Sequence, residues 1–201
     1  MRDLEGAIDR EELQTISAHL DDSGIVDNPM PASGHTPLFY AAQRGRFEVC
    51  RHLISSLGAS VFARDRAGRT ALMEMIRCRG KQWPKAIAEL LKGSVNEQDA
   101  SGMTALMFAC QGAGAFGSRK GNLAIISQLI ELGADTGLRN KRGQTAVGVA
   151  EAENSVSKSS ANSEVVSYLQ SVAIEQRAIS EFLAKYRCSF DSNGVLVLSP
   201  K

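Results

Sequence analysis

Few residues in this chain have the type and spacing to carry out chemistry. The stretch GAGAFGSRKGN, residues 112–122, has the glycine density of a loop that cradles phosphate. It lacks the Gly-Lys-Ser/Thr ending and lies between two helical stretches instead of after a strand, so a flexible inter-helix loop is the better reading. Cys78 stands between Arg77 and Arg79. Basic neighbours lower a thiol pKa, which makes a reactive cysteine conceivable there. Cys50 and Cys110 fall on apolar helix positions and read as small core residues. With Cys188 they are far apart in sequence, and no histidine lies at metal-ligand spacing from any of them, which argues against a disulfide framework or a zinc site. His19, His35 and His52 have no paired serine, cysteine or carboxylate pattern. His35 sits at a turn and reads as a surface contact. No residue set points to catalysis or to a cofactor, and the chain reads as a non-enzyme.

The elements that hold these residues repeat. Gly-x-Thr-(Pro/Ala)-(Leu/Val) begins at Gly34, Gly68, Gly102 and Gly143, recurring after 34, 34 and 41 residues. A period in the thirties is the mark of a solenoid. In each unit the glycine suits a tight turn and the threonine can cap a helix; Pro37 fits the first helical position. The first helix carries small or apolar inward residues: Leu38, Ala41, Ala42; Leu72, Met75, Ile76; Leu106, Ala109, Cys110; Val147, Ala150. A second helix places larger apolar residues at spacings of three and four, as with Val49, Cys50 and Leu53 or Ile125, Ile126 and Leu129. LGAS at 57–60 and LGAD at 132–135 close that helix with glycine. A short extended turn then leads onward.

This order of features resembles the ankyrin repeat, whose hallmark is a Gly-x-Thr-Pro-Leu-His-x-Ala-Ala helix, a second helix, Leu-Leu-x-x-Gly-Ala-Asp and a β-turn. The resemblance covers residues 34–171. It implies an all-α solenoid of stacked helix–turn–helix units with short β-turn connections and capping helices at both ends. The family's histidine position holds Phe39, Met73, Met107 and Gly148, so apolar contacts are expected to replace the hydrogen bonds that histidine makes between repeats.

The expected organisation is a divergent capping repeat over 1–33, the array over 34–171, and a cap helix with an extended tail over 172–201. Leu4, Ala7, Ile8 and then Leu13, Ile16, Leu20 form the two faces of the N-terminal cap, with Asp9-Arg10-Glu11 between them. Longer inter-helix loops are expected at 112–121 and 153–162, and a shorter insertion holds Trp83. In the tail, Ile174, Ile179, Phe182, Leu183 and Tyr186 share a helical face, Ser192-Asn193-Gly194 signals a turn, and Val195–Leu198 reads as a strand. That face either covers the last repeat or offers a docking or self-association surface; a monomer is the default.

Hydrophobic residues make up 43% and charged residues 22%, with a net charge of +1. That balance fits a soluble globular chain and favours neither nucleic acid nor a membrane surface. Aromatic residues interleaved for base stacking are missing. The N-terminal stretch has no apolar run of a signal peptide, and no stretch approaches the ~20 apolar residues of a membrane span, so a reducing, cytoplasmic setting is expected. What the resemblance implies is a protein–protein interaction module, an adaptor or scaffold that binds through turn tips, first-helix ends and the concave groove. The positions this selects are His35, Gln43, Arg44, Arg66, Arg69, Arg77, Met103, Gln111, Lys141 and Gln144, with Trp83 and Phe116 as aromatic anchors on inserted loops. Arginines cluster there, either as a solvated face among Asp65, Glu97 and Asp99 or as a patch that steers an acidic partner. The alternative function is a regulatory subunit or inhibitor of a partner enzyme, acting through the long loops.

Overall fold

The computed structural model describes residues 4–21, 26–31, 33–79, 84–111, 123–157, 160–190 and 196–200. The elements run α1 (Leu4–Arg10), α2 (Leu13–Asp21), α3 (Pro37–Arg44), α4 (Phe47–Ser55), α5 (Ala71–Arg79), α6 (Lys85–Leu91), α7 (Ala105–Cys110), α8 (Leu123–Glu131), α9 (Ala146–Ser157), α10 (Ser160–Lys185), β1 (Tyr186–Phe190) and β2 (Leu196–Pro200). The fold is an all-α repeat solenoid. First helices α3, α5, α7 and α9 pack side by side in sequence order, and α1 packs on α3.

Each first helix starts the same way. The Thr36 hydroxyl accepts the Phe39 N–H at 3.2 Å and Thr104 accepts the Met107 N–H at 3.2 Å, satisfying amides that have no partner inside the helix. Thr70 and Thr145 face Met73 and Gly148 in the same relation, at 3.5 and 3.4 Å. Ala41 and Ala42 are fully buried, so α3 meets its neighbours without large side chains between the backbones. Phe39, Met73 and Met107, in the place of the family's histidine, are all buried in the core. Met73 and Met107 join the apolar core cluster, whereas the Phe39 ring lies beneath the Arg69 guanidinium and beside the His35 ring.

The turns between units form a ladder. Asp65, Asp99 and Asn140 each fold a side-chain oxygen back onto backbone N–H groups two and four residues on. Each turn then closes on a glycine with positive φ: +76° at Gly68, +75° at Gly102 and +74° at Gly143. Successive turns bond directly, Ala100 N–H to Ala67 C=O and Lys141 N–H to Ser101 C=O, both at 2.9 Å. Side chains bridge the same junctions. Arg64 donates to the carbonyls of Gly68 (2.8 Å) and Gln98 (2.6 Å), and Gln98 donates to those of Gly102 and Arg139 (2.8 Å each). Behind the second helices, Asn96 donates to Gly133 C=O at 3.0 Å and accepts from Asp135 N–H at 2.8 Å.

The N-terminal cap forms as two helices around buried Ala7, Ile8, Ile16 and Leu20. The C-terminal part differs from expectation in two ways. Residues 153–162 were expected to be a loop, yet α9 runs to Ser157 and α10 starts at Ser160. α10 then continues for 26 residues, so the expected boundary at 171/172 lies inside one helix. The reason is local: from Val149 to Lys185 there is neither glycine nor proline, and serine and asparagine lower helix propensity without breaking the helix. The loop expected at 112–121 lies outside the described residues. β1 and β2 form an antiparallel ladder pairing Tyr186 with Pro200 and Phe190 with Leu196. The expected strand is thus found, one residue further along.

The turn ladder gives a controlled test. A Cβ on Gly102 would lie 2.9 Å from Asn140 Cα and Lys141 N, whereas one on Gly143 meets nothing within 4 Å. Both glycines share the same φ, so Gly143→Ala is expected to cost about 1 kcal/mol from backbone strain alone. Gly102→Ala is expected to cost about 2 kcal/mol more, from the clash with the next turn. Urea unfolding of both variants measures the difference; equal losses would show that the turns do not depend on close stacking.

Candidate interaction surface

The polar side chains on the first-helix side converge on one buried carboxylate. Glu74, in α5, has no exposed side-chain surface. It pairs with Arg77 at 2.7 Å and with Arg69 at 2.9 Å. It also accepts from Gln43 Nε2 of the preceding repeat at 3.1 Å and from the Cys78 thiol at 3.1 Å. Arg69 is bound a second time by Asp65, at 2.6 Å, and its guanidinium lies over the Phe39 ring. Three residues selected from the sequence, Gln43, Arg69 and Arg77, are therefore gathered around a group the sequence reading did not single out. Its signal was present: one acid inside the apolar run ALMEMI, flanked by arginines five residues before and three after.

Burial alone would raise the Glu74 pKa. Hydrogen bonds from Arg77 and Cys78, with the charges of Arg69 and Arg77, outweigh it and hold the carboxyl below its ordinary 4.5. Cys78 goes the opposite way from the reactive thiol that its arginine neighbours made conceivable. Partial burial and its bond to Glu74 push it up to about 11, and the nearby arginines compensate only in part. Burial likewise pushes Cys50 and Cys110 up to about 12.

The other selected residues divide between bound and open. Arg44 is tied to Tyr40, at 3.1 Å from its hydroxyl, and to Asp9 at 3.6 Å. His35 stacks on Phe39 at 4.7 Å between ring centroids, and its Nδ1 is buried with no hydrogen-bond partner among the described residues. Met103 was expected on the surface but is buried at the turn, where the Asn140 amide reaches its sulfur. Gln144 accepts from the Asn140 amide at 3.1 Å. Gln111, Arg66 and Lys141 are exposed. Trp83 and Phe116 lie outside the described residues. Of the cations at the turn tips, Arg64 pairs with Glu97 and Arg69 with Asp65. Arg66, Lys141 and Arg142 are exposed and have no ion-pair partner among the described residues. Part of the apparent basic patch is thus neutralised internally, and positive charge remains at the tips.

Two outcomes test this arrangement. Glu74→Gln removes the charge that holds Arg69 and Arg77 and is expected to cost about 2 kcal/mol at pH 7. Folding lowers the Glu74 pKa, so the folded chain binds fewer protons here than the unfolded one. The stabilisation is fully present above the ordinary carboxylate value of 4.5 and is lost as pH falls through the lowered one. The gap between wild type and Glu74→Gln in denaturant unfolding should therefore narrow below about pH 4.5; a gap that widens there would contradict the ion-pair assignment. Second, the Cys78 peptide should alkylate about a hundredfold more slowly at pH 8 than a thiol of pKa 9.0, followed by mass spectrometry. Faster labelling would restore the reactive-thiol reading.

Among the described residues no helix is long and apolar enough to cross a membrane. No curated protein matches the chain. Residues 33–66 and 101–141 match the family model of the Ankyrin repeat. These segments contain a turn, its capping threonine and the helix pair that follows, the units that stack here. The chain thus carries ankyrin-repeat units at residues 33–66 and 101–141, set within a stacked helical architecture.

Proposed function

We propose that this chain is an adaptor or scaffold that presents its turn tips and first-helix side to a protein partner with an acidic surface. Ankyrin repeats are generally protein–protein interaction modules. The observation that carries the proposal is the ladder of backbone and side-chain bonds across successive turns, including Ala100 to Ala67 and Lys141 to Ser101. A surface ordered before contact loses little conformational entropy on docking. The unpaired cations on that ladder, Arg66, Lys141 and Arg142, give it a positive rim, and Gln111 adds an exposed polar group at the end of α7. Arg69 and Arg77 are held by Glu74 and act as supports of the surface, not as its contacts. Cys50, Cys78 and Cys110 are free thiols, which fits a reducing, cytoplasmic setting.

The test compares partners captured from native lysate by the wild-type chain and by Arg66→Glu/Lys141→Glu/Arg142→Glu. Among the described residues none of the three side chains makes an ion pair, so the variant is expected to unfold like wild type. Binding of the principal partner is expected to weaken about tenfold or more, mainly through slower association, and wild-type binding to weaken with salt. Retention of every partner at unchanged affinity would sink the proposal that the tips are the contact surface.

A further inference from the structure

The turn ladder has two closed junctions and one open end. Its rungs are Arg64, Gln98 and Arg139, each four residues before a turn glycine. Each donates to the carbonyl of its own glycine, at 2.8, 2.8 and 2.6 Å. Arg64 and Gln98 also donate forward, to the backbone carbonyls of Gln98 and Arg139 in the next turn. Arg139 is exposed and makes no forward bond among the described residues. The backbone follows suit. The carbonyls of Ala67 and Ser101 each accept an N–H from the next turn at 2.9 Å, whereas the Arg142 carbonyl, in the corresponding place, accepts none among the described residues. A Cβ on Gly68 or Gly102 would strike the following turn, while one on Gly143 would meet nothing within 4 Å.

The ladder stops because the chain makes no further turn. Gly58 and Gly133, with φ of +72° and +91°, follow α4 and α8 and lead the chain back toward the tips. α10, the second helix of the last unit, contains no glycine and runs on to Lys185. It still covers the base of the last turn. Gln176 donates to Ala134 C=O at 2.9 Å and accepts from Thr136 N–H at 3.1 Å, the role Asn96 takes at the junction before. The tip, residues 139–143, is left open.

The closed junctions specify what fits there. At position 64 the rung is an arginine, and the next turn sets Glu97 against it as an ion pair. At position 98 the rung is an uncharged glutamine, and Leu138 stands in the place of Glu97. The open rung is again an arginine. We infer that the open end of the ladder is a docking site for an acidic β-turn of another protein, of the pattern acid-x-(Asp or Asn)-x-x-Gly. The acid pairs with Arg139, and the backbone carbonyl of the residue after it accepts from the same guanidinium. The N–H three residues beyond the acid donates to the Arg142 carbonyl, as Ala100 does to Ala67. A second copy of this chain stacked head to tail does not meet the requirement, because its leading turn has Pro29 where the acid is needed. The inference rests on the reading that the tips meet an acidic partner, and narrows the contact to one end of the ladder.

The probe is a peptide of residues 95–104 closed head to tail, which carries Glu97-Gln98-Asp99-Ala100-Ser101-Gly102 as a free turn. Titrated to about 5 mM into the full isotope-labelled chain, it is expected to shift the amide resonances of residues 139–143 with half-saturation below about 1 mM. Glu97→Gln in the peptide and Arg139→Gln in the chain are each expected to weaken binding about tenfold, and together no further. Arg139→Gln keeps the turn, since Gln98 makes the same bond to its own glycine carbonyl. Gly143→Asn tolerates the positive φ but sets a Cβ on the open edge, and is expected to abolish binding while the unfolding transition stays cooperative. Arg66→Gln, at the other end of the ladder, should leave the peptide bound as before. The proposal is overturned by the absence of a saturable shift, by shifts centred on other residues, or by equal binding to wild type and Arg139→Gln. Weakening by Arg66→Gln but not by Arg139→Gln would overturn it while leaving the tip surface as the partner's contact.

Discussion

The structure depends on one close approach: from the turn at Gly68 onward, the backbone of each inter-repeat turn lies against the backbone of the next. Ala100 N–H can reach Ala67 C=O because no Cβ stands at Gly68, where one would come within 2.9 Å of Ala100 N. The same holds one step on, at Gly102 against Asn140 and Lys141. That spacing brings the Arg64 guanidinium and the Gln98 amide within reach of carbonyls on both sides of a junction. It also sets the first helices close enough for Ala41 and Ala42 to be the fitting residues between them. A unit that could not make this approach would leave the apolar faces of its helices in water, since each repeat buries them only on its neighbours.

Charge in this protein is first a structural matter. Glu74 binds two arginines, a glutamine from the previous repeat and a thiol, and so links α3 to α5 at the level where the family has a histidine and this chain has Phe39 and Met73. The inter-repeat hydrogen bonding expected to be lost at that position is in part recovered one residue further along the helix. Arginine suits this role, because its planar fork serves several acceptors at once and stacks on an aromatic face, as Arg69 does on Phe39. The consequence for recognition is that a count of basic residues overstates the free positive charge.

The repeat was legible in the sequence because its signals are short-range and recur: a capping threonine at 36, 70, 104 and 145, each two residues after a turn glycine, and inward apolar residues at helical spacing. The two N-terminal helices were legible for the same reason. Glu74 was not, since its partners come from positions 43, 69, 77 and 78, and only the stacking of two units brings Gln43 to it. Met103 looked like a variable tip residue, yet the following turn closes over it, and the length of that turn is a property of two repeats together. The surroundings of the Cys78 thiol were not legible from its arginine neighbours in sequence, because one helical turn brings the Glu74 carboxylate to its sulfur. The serine-rich stretch before residue 163 read as a loop from composition, but with no glycine or proline the helices run almost through it.

α10 is a single helix from Ser160 to Lys185, about 39 Å long at 1.5 Å per residue. Its first half is part of the repeat array and its second half stands clear of it, with no glycine or proline between them to act as a hinge. The helix is therefore a ruler. Whatever engages its far end is held at a set distance and azimuth from whatever engages the turn tips, and the second of two such contacts forms at an effective concentration fixed by that geometry instead of by free diffusion.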